Sequence, residues 1–311
     1  MTFSRIVSMG HYQPSRVLTN DDLAQMVDTN DEWIQSRVGI KERRIADSET
    51  VADMASAAAE KALAGSGLSA ADIDLVVVAT TSSIDRCPNV ATRVAKKLGI
   101  TAPGAFDLNT ACSGFSYALA TADHAIRAGA SKNAIVIGAE KLSDITDWTD
   151  RTTCVIFADG AGAAVVSASD TEGISPVLWG SEPDKGDAVV IEGWRPYIQQ
   201  AGQTVFRWAT FSLPKLAVEA CERAGVKPQE LAAFVPHQAN LRIIEPLARK
   251  LGAPDIIVAR DVVESGNTSA ASIPMALSKL VERREIPSGA PVLLFGFGGG
   301  LTYAGQVVRC P

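Results

Sequence analysis

Two stretches of this chain repeat one another, and that repetition limits the folds open to it. Asp74-Leu-Val-Val-Val-Ala-Thr80 reads as a buried strand; from Leu75, Cys112 stands 37 positions on and Gly138 stands 63. From Leu231, within Glu230-Leu-Ala-Ala-Phe-Val-Pro236, Asn267 stands 36 positions on and Gly296 stands 65. Each half reads as acidic residue, strand, helix, strand, small-residue turn, helix, strand, glycine. Three landmarks in register argue for a duplicated α/β unit rather than coincidence. A duplication sets equivalent helix starts beside a shared pseudo-twofold axis, and Cys112 and Asn267 are read as those starts. Residues distant in sequence would then meet in one site.

The elements between these landmarks agree. Short, continuous, β-branched runs at 75–80, 134–138, 162–166, 232–235 and 292–295 predict strands covered on both faces. Helices are predicted over the Ala-rich stretches 50–64 and 113–128, and over 213–224, 241–251 and 270–284. Their alternation indicates an α/β protein. A length of 311 residues suits two units, placed at 1–168 and 169–311. With 47% hydrophobic and 21% charged residues the chain is of ordinary globular composition, which excludes a disordered or collagen-like one. No apolar run approaches the roughly 18 residues of a membrane helix, and no basic-then-apolar leader is visible at the N-terminus, so no membrane association is expected.

Charge and cysteine usage narrow the chemistry. Twenty-nine basic and 35 acidic residues give a net charge of −6, which argues against nucleic acid as the main partner. The five cysteines, Cys87, Cys112, Cys154, Cys221 and Cys310, form no C-x-x-C pair and no zinc spacing. Neither a disulfide framework nor a metal site is expected, and free thiols fit a reducing cytoplasm. Only His11, His124 and His237 are available as imidazoles. His11 and His124 are read as structural, and Cys154, Cys221 and Cys310 as packing residues or incidental thiols.

Four segments carry residue types suited to chemistry. In Phe106-Asp-Leu-Asn-Thr-Ala-Cys-Ser-Gly114 a strand end meets an Ala-rich helix, with Cys112 at the junction among small residues. The positive end of a helix favours the thiolate there, although a lone cysteine is more often an inert packing residue. Phe234-Val-Pro-His-Gln-Ala-Asn240 runs from a strand into a histidine, suited to act as donor or base or simply to hold structure. Glu264-Ser-Gly-Asn-Thr-Ser-Ala-Ala-Ser272 places Asn267 at a helix start, which taken alone is a loop with a cap. Phe295-Gly-Phe-Gly-Gly-Gly-Leu-Thr302 sets three glycines after a strand, where backbone N–H groups can approach a ligand closely. No Lys-Ser/Thr follows, so an oxyanion hole is a better reading than a phosphate cradle.

Taken together and in this order, Thr110-Ala-Cys-Ser-Gly, His237-Gln-Ala-Asn, Gly266-Asn-Thr-Ser-Ala-Ala-Ser and Phe297-Gly-Gly-Gly closely resemble β-ketoacyl-acyl carrier protein synthase III. The resemblance spans nearly the whole chain, including Asp31-Glu-Trp-Ile-Gln-Ser-Arg37 and Asp147-Trp-Thr-Asp-Arg151. It implies a thiolase-like fold, with duplicated α/β halves in five αβαβα layers and mixed sheets. Elongating synthases look for a second histidine where Asn267 stands, and thiolases for a cysteine beside the C-terminal glycines, where this chain has none. The resemblance implies an acyltransferase that condenses an acyl-CoA primer with malonyl-acyl carrier protein, starting fatty acid synthesis. Cys112 would carry the acyl group, the N–H groups of Cys112 and Gly299 would hold the thioester oxygen, and His237 and Asn267 would stabilise the enolate left by loss of CO2. No metal or redox cofactor is implied.

The same resemblance assigns binding roles. Trp33, Arg37, Arg151 and Arg242 would hold the adenine and phosphates of coenzyme A, and Asn240 the pantetheine arm; Gln203 stands where one family contact is an Asn. Cys87, contributed by the partner subunit of a homodimer, would wall the acyl pocket with Leu142, Phe157 and Phe297. Its small size predicts room for longer or branched primers. Arg242 and Arg249, seven apart on one helix face, with Lys250 and Arg207, would dock the acidic carrier protein. The alternatives are a related condensing enzyme or acyltransferase priming polyketide or secondary metabolism, a Cys–His hydrolase, and a binding subunit without turnover.

Overall fold

The computed structural model describes residues 2–85, 87–193 and 197–311. Two five-stranded sheets form its frame. The first holds β1 (Phe3–Tyr12), β2 (Leu75–Ala79), β3 (Gly104–Leu108), β4 (Asn133–Lys141) and β5 (Asp159–Ser169), in the order β1-β5-β4-β2-β3. The second holds β6 (Leu178–Gly180), β7 (Ala233–Pro236), β8 (Ile257–Val258), β9 (Pro291–Gly298) and β10 (Thr302–Arg309), in the order β8-β7-β9-β10-β6. Both are mixed in the same way: β2 is parallel to β3 and β4 as β7 is to β8 and β9, and the remaining pairs are antiparallel.

Strand pleating divides the side chains into layers. Leu75, Val77 and Ala79 turn to one core, Val76 and Val78 to another. Likewise Ala233 and Val235 face opposite to Phe234. Helices α1 (Val51–Ser66) and α2 (Val90–Leu98) cover the outer face of the first sheet. The middle layer is α3 (Gly114–Arg127) with α6 (Ser272–Glu282), buried between the sheets through Phe115, Leu119, Ile273 and Leu277. Finally α4 (Leu213–Arg223) and α5 (Leu241–Leu251) cover the second sheet through Leu213, Ile243 and Leu247. Each such side chain removed from water contributes about 1.5–3 kcal/mol. The five αβαβα layers are those the resemblance implies, and one middle core binds both units together.

The duplication is present, in a register different from that read off the sequence. Measured from the strand starts Leu75 and Ala233, Asn109 and Asn267 both stand 34 positions on, and Gly138 and Gly296 both stand 63. Asn109 Oδ1 accepts from Ala111 N at 3.0 Å, and Asn267 Oδ1 accepts from Ser269 N at 2.9 Å. Ala111 and Ser269 both have φ of 48°, and each opens a short 3₁₀ turn leading into a middle helix. The counterpart of Asn267 is therefore Asn109, and that of Cys112 is Ala270. The sequence count slipped because Leu231 lies ahead of its strand, whereas Leu75 begins one.

Crossing of the halves explains the glycines. A Cβ on Gly138 would come within 2.1 Å of Ala270 O, and one on Gly296 within 3.0 Å of Ser113 Cα. Each strand presses on the turn of the opposite half, and only glycine permits that approach.

Candidate active site

Cys112 sits in the 3₁₀ turn Ala111–Ser113, where β3 has ended and α3 is about to begin. Its neighbours leave no slack: a Cβ on Gly298 would meet Cys112 N and Cβ at 2.7 Å. The backbone N–H groups of Cys112 and Gly299 and the hydroxyl of Ser269 all bear on the sulfur. Sequence reasoning expected this position to favour the thiolate. The structure reverses that balance: burial pushes the Cys112 thiol up to about 12, and the N–H groups and Ser269 recover only part of the cost. At neutral pH that shift leaves Cys112 as a thiol.

Asn267 is clamped from both sides, its N donating to Ile156 O at 2.9 Å and its carbonyl accepting from Ala158 N at 3.0 Å. With Oδ1 occupied by Ser269 N, the side chain offers its NH₂ to the Cys112 cavity, whose wall it forms. His237 follows β7 directly and its N–H donates to Phe295 O at 2.9 Å. Its ring is buried and lies edge-on to Phe297, 5.1 Å between centroids. Phe297 adjoins Gly298, which abuts Cys112. Ser272 Oγ is 2.7 Å from His237 Nδ1 and accepts from Gln238 N at 3.2 Å. With that hydroxyl donating to Nδ1, the neutral ring carries its proton on Nε2. Burial drives the His237 pKa down to about 3, so this ring is a neutral donor.

Two cavities meet here. One, of about 450 Å³, is lined by Cys112, Asn267, Ser269, Gly298 and Gly299, with Leu142, Phe157, Val189, Ile191 and Ile198 forming an apolar side. The other, of about 570 Å³, is lined by Trp33, Arg37, Gln203, Phe206, Arg207, Asn240 and Arg242. Asn267 and Gln200 line both, so a chain laid along the second cavity reaches the first at Asn267. The outer end is cationic and aromatic. Arg37 and Arg151 lie over the Trp33 ring at 5.9 and 5.3 Å, and Arg242 over Phe206 at 5.5 Å. Asn240 caps α5, its Oδ1 accepting from Arg242 N, and its Nδ2 donates to Arg37 O.

With this geometry in place, comparison with known proteins identifies the lineage. The family described as "3-Oxoacyl-[acyl-carrier-protein (ACP)] synthase III" matches residues 106–183, and its C-terminal counterpart matches 221–310. The chain belongs to the 3-oxoacyl-[acyl-carrier-protein] synthase III family. It is 65% identical to beta-ketoacyl-[acyl-carrier-protein] synthase III 4 of Streptomyces coelicolor, over 99% of each chain. Its fold matches the priming β-ketosynthase of the R1128 polyketide pathway at a TM-score of 0.97, with 42% identity, over 99% of this chain and 96% of that one. The 3-oxoacyl-[acyl-carrier-protein] synthase III of Aquifex aeolicus matches at 0.95, with 44% identity, over 98% and 99%.

Against the site residues expected of a synthase III, some are gathered and some are not. Leu142 and Phe157 line the Cys112 cavity; Phe297 does not, because it is buried against His237, Trp208 and Phe295. Cys87 is exposed and lies outside this cavity within the single chain. Arg207, Arg242, Arg249 and Lys250 are all exposed around α5. Lys250 Nζ donates to Thr210 O at 2.8 Å and sits 5.0 Å from the Phe211 ring centre. Sequence reasoning missed Ser272, Ser269 and the pairing of Val189–Val190 with Gln199–Gln200 that walls the apolar side. Both serines stand inside the quoted Gly266 segment, but nothing local shows which one faces a ring nitrogen.

Proposed function

We propose that this chain is a β-ketoacyl-acyl carrier protein synthase III, joining an acyl-CoA primer to malonyl-acyl carrier protein through an acyl-Cys112 intermediate. One observation carries the reading: the Cys112 cavity and the cationic, aromatic cavity meet at Asn267. Adenine and phosphates would rest on Trp33, Arg37, Arg151 and Arg242, with the pantetheine arm running past Asn240. Cys112 attacks the thioester carbon while the N–H groups of Cys112 and Gly299 hold the oxygen, and the CoA thiol departs. Malonyl-acyl carrier protein follows, CO2 leaves, and the enolate oxygen is met by N–H donors of His237 and Asn267. Its carbon then attacks the acyl thioester and frees Cys112. Each developing charge is met by a group of the chain, so the proposed reaction draws on no metal or redox cofactor. Incubation with acyl-CoA and then malonyl-acyl carrier protein, read by intact mass, tests it: acylated Cys112 and a β-ketoacyl carrier product are expected. Free acid alone would mark a hydrolase, and an unmodified chain would end the proposal.

Assembly as a homodimer in a reducing cytoplasm belongs to the same reading. Among the described residues strand β3 ends its sheet, with Phe106 on it 38% exposed, and such edges invite pairing with a second copy. A partner's Cys87 would close the acyl pocket. Because that side chain is small, primers of about four to six carbons or branched ones should react faster than acetyl-CoA, each buried methylene adding about 0.8 kcal/mol. Cys87→Phe should shift the preference back to acetyl-CoA in a primer series of kcat/KM values. A wild-type enzyme sharply selective for acetyl-CoA would remove this part.

Arg207, Arg242, Arg249 and Lys250 would receive the acidic carrier protein. Arg249→Glu should raise the KM for malonyl-acyl carrier protein by about tenfold and flatten its dependence on salt. An unchanged KM would place docking elsewhere.

A further inference from the structure

A buried cation stands behind the Asn267 donor, and the chemistry above gives it no part. Arg43 lies on the strand Glu42–Ile45 and is fully buried. Burial lowers its pKa only to about 10, so the guanidinium stays charged at neutral pH. Its Nη1 donates to Asn20 Oδ1 at 2.7 Å and to Leu18 O at 3.3 Å, and its Nη2 to Val155 O at 2.9 Å. All three of these partners are neutral oxygens. A cation so enclosed is costly to bury and holds its place only while each bond keeps its geometry.

The two ends of this fork are held differently. On one side Asn20 is buried, and its Nδ2 donates to Asp31 Oδ1 and to Ile40 O, both at 2.8 Å. Leu18 lies directly opposite Arg43 in the strand pair Arg16–Thr19 and Glu42–Ile45. On the other side Val155 belongs to a stretch of turns that becomes strand β5 only at Asp159. That stretch is what clamps the donor, through Asn267 N to Ile156 O at 2.9 Å and Ala158 N to Asn267 O at 3.0 Å. Phe157 and Asn267 form an isolated bridge rather than a strand pair, so the clamp needs support from behind. Arg43 gives it twice. Its head holds the residue before Ile156, and its stem backs Gly266, where a Cβ would come within 3.1 Å of Arg43 Cβ.

We infer that Arg43 is a positioning residue for the enolate donor: by tying Val155 to Asn20, it sets where the Asn267 amide stands in the Cys112 cavity. The inference rests on the condensing-enzyme reading. Arg43 lines neither cavity, so it acts through Asn267 and touches no substrate. A displaced donor loses much of its value, because stabilising a developing charge depends on distance and direction. Lysine would keep the charge, but a compact ammonium on a flexible stem does not fix the spacing of Asn20 and Val155 as a planar fork does.

Arg43→Lys, Asn267→Ala and the double variant test this. CO2 release from malonyl-acyl carrier protein is measured per Cys112 that acyl-CoA acylates, counted by intact mass, which removes any loss due to unfolded protein. Arg43→Lys should lower CO2 release about tenfold and leave acylation at saturating acyl-CoA within about twofold of wild type. In the Asn267→Ala background the same change should cost less than about twofold, because the group it positions is gone. Equal losses in both half-reactions, a tenfold loss repeated without the Asn267 amide, or unchanged CO2 release would each overturn the inference. Should Arg43→Lys fail to fold, Asn20→Ala leaves the guanidinium in place and withdraws its anchor. The same split between CO2 release and acylation is expected there, and an even loss overturns the inference equally. A wild type that never acylates would instead bring down the condensing-enzyme reading itself.

Discussion

Cys112→Ala protein is expected to form no acyl-enzyme and to condense primer with extender only at background rate, a loss of about 10⁴-fold or more. Only the sulfur is removed. The tight contact with Gly298 is made by Cys112 Cβ and N, which alanine retains, and the N–H groups of residues 112 and 299 stay in place. Loss of a single buried sulfur should cost about 1 kcal/mol of stability, a shift of a few degrees in Tm. The variant therefore separates chemistry from folding. It should still decarboxylate malonyl-acyl carrier protein, because His237, held by Ser272, and Asn267, held by Ile156 and Ala158, are untouched. Intact mass after acyl-CoA, beside CO2 release from the malonyl carrier, reads both halves of the claim. Acyl transfer at an undiminished rate would show that the sulfur is not the nucleophile.

How far the sequence could be read depends on the kind of signal each element carries. Strands β2, β4, β7 and β9 are continuous apolar runs because both faces are covered, and their pattern survives in any context. Strand β1 was not legible: Ser4, Ser8 and Gly10 occupy buried positions, where Ser4 donates to Asp123 and Ser8 to Ala62 O, and a helix backbone lies against Gly10. Polar residues satisfied by distant partners cannot be told from loop residues in one dimension. The duplication was visible through its glycines, yet the pairing of Asn109 with Asn267 needed the strand starts to be seen. At the site, residue identities were legible and protonation states were not. A helix start predicts a stabilised thiolate, whereas burial of the sulfur, a tertiary property, raises its pKa by more than Ser269 and the N–H groups of residues 112 and 299 recover. Phe297 shows the same limit, since its strand and motif are plain but the direction of its ring toward His237 is tertiary.

Replacing the two amide-like donors should strike the second half-reaction and spare the first. Asn267→Asp keeps an oxygen for Ser269 N, so the turn stays capped, but it exchanges the NH₂ for a negative oxygen facing the enolate. His237→Ala removes the other donor and leaves Ser272 without its ring partner. Each should slow decarboxylation and condensation by 10² to 10³-fold, about 3–4 kcal/mol of barrier, while acyl-Cys112 still accumulates from acyl-CoA. Acidity gives an independent check on which form of the ring donates. Burial holds the His237 pKa near 3, so on acidification from neutrality the ring stays neutral through its ordinary value of 6.5. Wild-type decarboxylation should thus remain level from about pH 7 to about pH 5, with no gain from an imidazolium. If the donor were the charged ring, the rate would climb as pH fell through 6.5 and the climb would vanish in His237→Ala. A rising limb of that kind, measured by CO2 release, would show that the imidazole is wetter and more basic than its position against Phe297 allows.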